Sequence, residues 1–263
     1  MIPPTPLPLV LKNAGLTIEE ALPAVVSRQL RQAEMVAYCG LYRRAGIARL
    51  LLSGRPQPFF EDLSRSARAF LYFLEGLSDD RKATSLSAPF LDAIACNDTG
   101  AAEAIARRSR TTWNPDEEYE EDFLFYRFLM GRFALGEPAA EVEALLGRWT
   151  ALEGGSGGPR LALCKALQAR DQVTFDEALA ALLDERSHEV DSAREDGLLS
   201  PDDAPTTAKV WVDLLALLRC AGAAGLETEE VVPMAPPVAR RVDLFRRPAP
   251  DSWRHPPSHR EFT

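Results

Sequence analysis

Six carboxylates fall within seven residues: Asp116, Glu117, Glu118, Glu120, Glu121 and Asp122, interrupted only by Tyr119. Acids at this density have two ordinary uses. Near a helix N-terminus they complement the macrodipole, each contributing about 0.3–1 kcal/mol. On a surface they offer concentrated negative charge to a basic partner. Two or three acids suffice for the first use, and six repel one another. Both readings therefore stand, a solvated helix start and a docking surface. Holding a metal is a third use of carboxylates. Glu117 and Glu121 share a helix face at i, i+4, yet Mg²⁺ and Ca²⁺ sites usually collect oxygens from several segments. No second segment can be assigned to this one.

Other reactive side chains are sparse. His188 lies in Ser187-His188-Glu189-Val190-Asp191, which lacks the HExxH spacing of a zinc site, and His255 and His259 fall in a proline-rich tail. Cys39, Cys96, Cys164 and Cys220 form no CxxC pair and sit in apolar contexts. They read as small buried hydrophobes, not as zinc ligands or a disulfide framework. Gly154-Gly155-Ser156-Gly157-Gly158 is glycine-rich but lacks the lysine and Ser/Thr of a phosphate loop. There is no GxGxxG and no GxSxG elbow. Neither catalysis nor a cofactor is expected.

The helix that positions the acid block is the next expectation. Asn114 suits a cap, Pro115 the first helical position, and Glu117 can reach back to the cap. Phe123, Leu124, Phe125, Tyr126, Phe128, Leu129, Met130 and Phe133 then surround the axis. This pattern predicts a central buried helix over 115–135 whose acidic first turns reach the surface.

Further helices are predicted from about Ile18 to Tyr38, after the capping box Thr17-Ile18-Glu19-Glu20, and over 41–52 beyond a kink at Gly40. Others cover 59–77, 87–96, 100–108, 139–152, 160–170 and 174–186, and a last one runs from Thr206 or Thr207 to about Ala224 with Gly225 as its stop. Residues 1–16 read as an extended proline-rich arm, 153–159 as a mobile loop, 187–205 as irregular, and 233–263 as a Pro/Arg-rich tail that wraps the surface or is partly disordered. Residues 17–232 then form a single domain.

No strand pattern is present, so the fold class is all-α: packed helical hairpins around the central helix. Residues 93–106 and 166–180 echo each other as helix, tight polar turn and Ala/Leu helix, giving a local character like that of tetratricopeptide hairpins without a regular period. Arg28, Arg31, Arg43, Arg44, Arg49 and Arg55 face a single acid, Glu34, in their stretch. They are surface arginines with partners elsewhere, or a basic counterpart of the acid block inside the fold.

At 263 residues, 46% apolar and 26% charged, the chain has an ordinary globular composition. Its formal charge is −9, of which the block supplies −6, leaving −3 for everything else. The acidity is thus local. It argues against direct nucleic-acid binding, which needs a basic surface. Met1 to Pro8 carries neither a basic n-region nor a continuous apolar run, and no segment approaches the ~18 apolar residues of a membrane span. A cytoplasmic protein without membrane contact is expected.

Three sets of residues resemble the immunity protein 49 family. They are the run Tyr119-Glu120-Glu121-Asp122-Phe123-Leu124-Phe125-Tyr126-Arg127-Phe128-Leu129, the hairpin 166–171 with Phe175-Asp176-Glu177-Ala178-Leu179, and Gly225-Leu226-Glu227 through Val232-Pro233. The similarity covers roughly 60–245. It implies an all-α immunity protein of a bacterial polymorphic toxin system, one that binds a cognate toxin domain and blocks it without catalysis. Such toxins are often nucleases with basic active-site faces, which the acid block would match by mimicking phosphate charge. A helical scaffold that binds a peptide in a groove, and an enzyme built on carboxylates and a metal, are the competing readings.

Overall fold

The helix packed on the most sides is not the one after the acid block but the one at Pro56–Leu74, designated α3. Pro56 starts it at the first helical position, where a missing N–H costs nothing. Phe59, Phe60, Leu63, Ala67, Phe70, Phe73 and Leu74 are all buried along it. In the computed structural model, which describes residues 4–154 and 157–256, ten α-helices are found among the described residues and no strand. The chain is all-α.

Before α3 come α1 (Leu7–Val26) and α2 (Gln32–Ser53). After it come α4 (Ala88–Ala95), α5 (Thr99–Arg108), α6 (Glu120–Leu129), α7 (Ala139–Leu152), α8 (Pro159–Ala169), α9 (Gln172–Glu195) and α10 (Val212–Ala224). α2, α4 and α5 pack on α3, α10 packs on α4, and α6, α7 and α8 form a neighbouring group to which α9 is joined as the second arm of an α8–α9 hairpin. No described helix is long and apolar enough to cross a membrane.

Several expectations are corrected. The extended arm over 1–16 is instead helical from Leu7: Pro8 lies in the first turn, where proline is tolerated, and Val10, Leu11 and Ala14 pack against Ala45 and Ala48 of α2. The helix expected to run to Tyr38 stops at Val26, because Arg28 adopts φ 56° and Arg31 opens α2 in a reciprocal cap with Glu34. α2 then passes straight through Gly40. The glycine that matters is Gly46, where an added Cβ would lie 3.1 Å from the Phe59 carbonyl oxygen, so α2 and α3 meet backbone to backbone. The stretch from 187 to 195, expected to be irregular, is the exposed second half of α9.

The loops at the two hairpins that echo in sequence are built alike. Asn97 (φ 56°) and Arg170 (φ 58°) end α4 and α8 in the left-handed region, and the following Asp98 and Asp171 cap α5 and α9. The central loop expected at 153–159 is described only in part, since Gly155 and Ser156 lie outside the described residues.

Three aspartates are fully buried around α3, each met by arginine. Asp62 pairs with Arg49 and Arg65, Asp92 with Arg43, and Asp98 with Arg68 at 2.7 Å. Ser66 and Ser64 of α3 donate to Asp92 (2.5 Å) and Asp98 (3.1 Å). Burial pushes the Asp92 carboxyl up to about 6 against the opposing pull of Arg43. The arginines of α2 are therefore engaged inside: Arg44 also binds Asp203 at 2.7 Å. None of those pairs reaches the acid block.

The proline-rich tail returns to the core. Val232, Ala235, Ala239 and Trp253 are buried in the main cluster, and Phe245 lies 5.6 Å from Phe60, ring centre to ring centre. His259 falls outside the described residues.

Candidate partner-binding surface

The acid block is not one continuous helix start. Asn114 is buried, and its side-chain amide donates to the carbonyls of Asp80 (3.1 Å) and Lys82 (3.2 Å). Its own carbonyl accepts from the N–H groups of Glu117 and Glu118, both at 3.1 Å. Residues 115–118 thus form a turn anchored to the 79–85 loop, and α6 begins only at Glu120. The cap expected from Asn114 and Glu117 is replaced by a different pair, because Asn114 is already held by the distant loop.

Glu118 is the residue that fixes this turn. It is 9% exposed and its carboxylate points inward. One oxygen accepts from the Ser85 N–H at 2.6 Å, and the other from the Asn114 N–H at 3.3 Å. Its backbone carbonyl accepts from Trp113 Nε1 at 3.0 Å. A carboxylate so held is an internal clamp, and it presents little charge to a partner.

Two more acids are tied to neighbouring helices. Glu120 pairs with Arg148 of α7 at 2.6 Å, and that guanidinium lies 5.9 Å over the Trp113 ring and 6.0 Å over the Phe123 ring. Asp122 pairs with Arg160 of α8 at 2.5 Å, and Arg160 sits 5.0 Å over Phe125. The basic counterparts of the block are therefore Arg148 and Arg160, not the arginines of α2. Beyond this layer Phe123, Leu124, Phe125, Phe128, Leu129 and Met130 are buried, as expected for the helix body. The helix widens into a π-helix over Met130–Leu135, ended by Gly136 at φ 62°.

Asp116, Glu117 and Glu121 remain. All three are exposed, and no ion pair holds them among the described residues. Between them Tyr119, the N-cap residue of α6, stands 76% exposed. Tyrosine is enriched among residues that carry binding energy, because it buries much area at low entropic cost.

A second acidic face emerges only with the structure. α9 carries Asp176, Glu177, Asp184, Glu185, Glu189, Asp191 and Glu195, all exposed, against only Arg186 and Arg194. A helix expected to end at 186 hides this face, although the opposite charges Arg186 and Glu189, and Asp191 and Arg194, stand at i, i+3 and give a usable signal. A cleft of about 410 Å³ beside it is lined by Glu185 and Glu189 of α9, by Trp149 and Glu153, and by Arg160, the partner of Asp122. His188 is exposed on the same helix. The four cysteines are free and buried, and no group of metal-ligating side chains is assembled among the described residues.

The chain is all-α, and exposed carboxylates stand on the turn before α6 and along α9. The immunity protein 49 family model matches residues 27–239, most of the chain, and the chain belongs to that family. The match reaches N-terminally past the similarity legible in the motifs and takes in all of α2. No curated protein and no solved structure matches the chain.

Proposed function

We propose that this protein is a non-catalytic cytoplasmic inhibitor that binds one cognate antibacterial toxin domain and neutralises it. Family membership carries the reading. The contact surface in this proposal is the acid block, with Asp116, Glu117 and Glu121 meeting basic side chains and Tyr119 as the apolar anchor between them. Glu120 and Asp122 flank it while tied to Arg148 and Arg160, and Glu118 supports it from beneath. A nuclease toxin fits this surface best, since its phosphate-binding face is basic and carboxylates can occupy the phosphate positions. No nucleic acid and no membrane takes part.

The test is co-expression in a bacterium of the adjacent gene's product, or its C-terminal domain, with and without this protein. Rescue of growth by the wild type is the expected result. Loss of rescue in Asp116→Lys/Glu117→Lys/Glu121→Lys, with an unchanged melting temperature, locates the contact, because those side chains hold nothing inside the fold. A toxic neighbour that the wild type does not relieve defeats the immunity reading. Full rescue by the triple variant defeats the surface alone.

A further inference from the structure

A second cavity lies away from the acidic faces. It measures about 480 Å³, within the ~300–1,000 Å³ of small-molecule sites. Ile94 of α4, Phe133 of the π-helix and Leu215 and Leu218 of α10 make its apolar walls, and Arg219 and Arg240 are its cations. Among the described residues no carboxylate lines it.

What sets these two arginines apart is their partners. Arg219 Nε donates to the Ala95 carbonyl at 2.8 Å, and another of its nitrogens donates to the Arg240 carbonyl at 3.3 Å. The Arg240 guanidinium donates to the carbonyls of Glu229 (2.5 Å) and Glu230 (3.1 Å) and to the Thr228 hydroxyl at 2.6 Å. Every acceptor is neutral. Around α3, by contrast, Arg43, Arg49, Arg65 and Arg68 each meet a carboxylate. Asp243, the acid whose charge Arg219 feels, lies with Arg241 at 3.9 Å. Arg132 adds a third cation nearby. It lies 5.4 Å over Phe133, its charge is felt by Cys220 in the cleft wall, and no carboxylate meets it among the described residues.

Half-buried guanidiniums without counter-charges are costly, and burial lowers the Arg219 pKa accordingly. In a chain of net charge −9, two such groups lining one apolar cleft, with Arg132 beside its Phe133 wall, run against the composition. A bound anion removes that cost. We propose that the cleft binds a small amphipathic anion, its carboxylate-like head on Arg219 and Arg240 and its apolar body against Ile94, Phe133, Leu215 and Leu218. This site is independent of the toxin-binding reading.

The experiment is calorimetric and thermal-shift titration of the purified full chain with octanoate, octanol and octylammonium. Octanoate is expected to bind saturably and to raise the melting temperature with concentration as a native-state ligand does. Octanol and octylammonium bind at least about tenfold more weakly, since each lacks the charge-assisted bonds. Arg240→Gln brings octanoate down to the octanol level. Ala223→Phe, at an exposed position of α10 on the rim, fills the cleft and removes binding of all three without touching a polar contact. Equal affinity for octanoate and octanol, no saturable binding, or octanoate affinity unchanged in Ala223→Phe would each overturn the proposal.

Discussion

Charged residues here do two different jobs, and burial decides which. Asp98 is fully buried, caps α5 by accepting from the Ala101 N–H, and holds Arg68 through both of its oxygens. Glu103 makes a similar pair with Arg107 at 2.8 Å one turn later, but both are exposed. An exposed i, i+4 pair is worth about 0.3–0.5 kcal/mol. Removing one partner of a buried pair costs about 3–5 kcal/mol, because the other charge stays desolvated, and the lost cap adds about 1 kcal/mol. Asp98→Ala is therefore expected to destabilise the protein by about 3 kcal/mol or more, and Glu103→Ala by less than about 0.5 kcal/mol. Urea unfolding of the two variants checks the contrast. Equal losses would mean that burial does not set the worth of these pairs. The same distinction sorts the acid block, where Glu118 is a structural residue and Asp116, Glu117 and Glu121 are available ones.

At the scale of elements, most helices are legible in the sequence, and the exceptions share a cause. α4, α5, α7 and α8 lie within a residue or two of their expected bounds, since Asn97-Asp98, Pro138 and Arg170-Asp171 are local punctuation. Differences arise where a local signal is overridden. Gly40 has the look of a kink but faces open space, and the prolines near the N-terminus fall where a helix tolerates them. Arg28 breaks the chain with no glycine or proline to announce it, held by its bond to the Tyr72 carbonyl at 2.9 Å and by the Tyr72 ring at 4.2 Å. The second half of α9 reads as polar linker, yet Arg186–Glu189 and Asp191–Arg194 pairs support it as a surface helix. The block itself is visible as composition. Its sorting is not, because the partners of Glu118, Glu120 and Asp122 come from the 79–85 loop, α7 and α8.

The tail shows the same dependence on distant partners, and it has a testable energy. Trp253 is 3% exposed, its carbonyl accepts from the Tyr42 hydroxyl at 3.0 Å, and its ring lies 5.0 Å from that of Tyr72. Gln57 exchanges two hydrogen bonds with the Arg246 backbone, at 2.8 and 2.9 Å. Large-to-small changes at such buried aromatics cost about 3–5 kcal/mol. Trp253→Ala is expected to release the tail before the rest of the fold. Trypsin should then cut after Arg246 and Arg247 under conditions where the wild type is intact. Unchanged cleavage would mean that the tail is held by its other contacts.

For the whole molecule, the far field depends on which charges are unpaired, not on how many there are. The arginines and aspartates around α3 cancel over short distances and project little beyond the surface. The free carboxylates of the block are not cancelled, and α9 keeps an excess of exposed acids beyond its Arg186–Glu189 and Asp191–Arg194 pairs. Such a surface accelerates encounter with a basic partner by about 10–10³-fold at low ionic strength. Screening removes this gain as the Debye length shrinks from about 30 Å at 0.01 M salt to about 3 Å at 1 M. Association with the toxin domain is thus expected to slow about tenfold or more over that range, with a much smaller change in dissociation. In the Asp116→Lys/Glu117→Lys/Glu121→Lys variant the slope should flatten, and Glu185→Lys/Glu189→Lys should flatten it further if α9 shares the steering. Stopped-flow binding at several salt concentrations separates the contributions. A salt-independent wild-type rate would leave affinity to the apolar contacts alone, with Tyr119 the first residue to test.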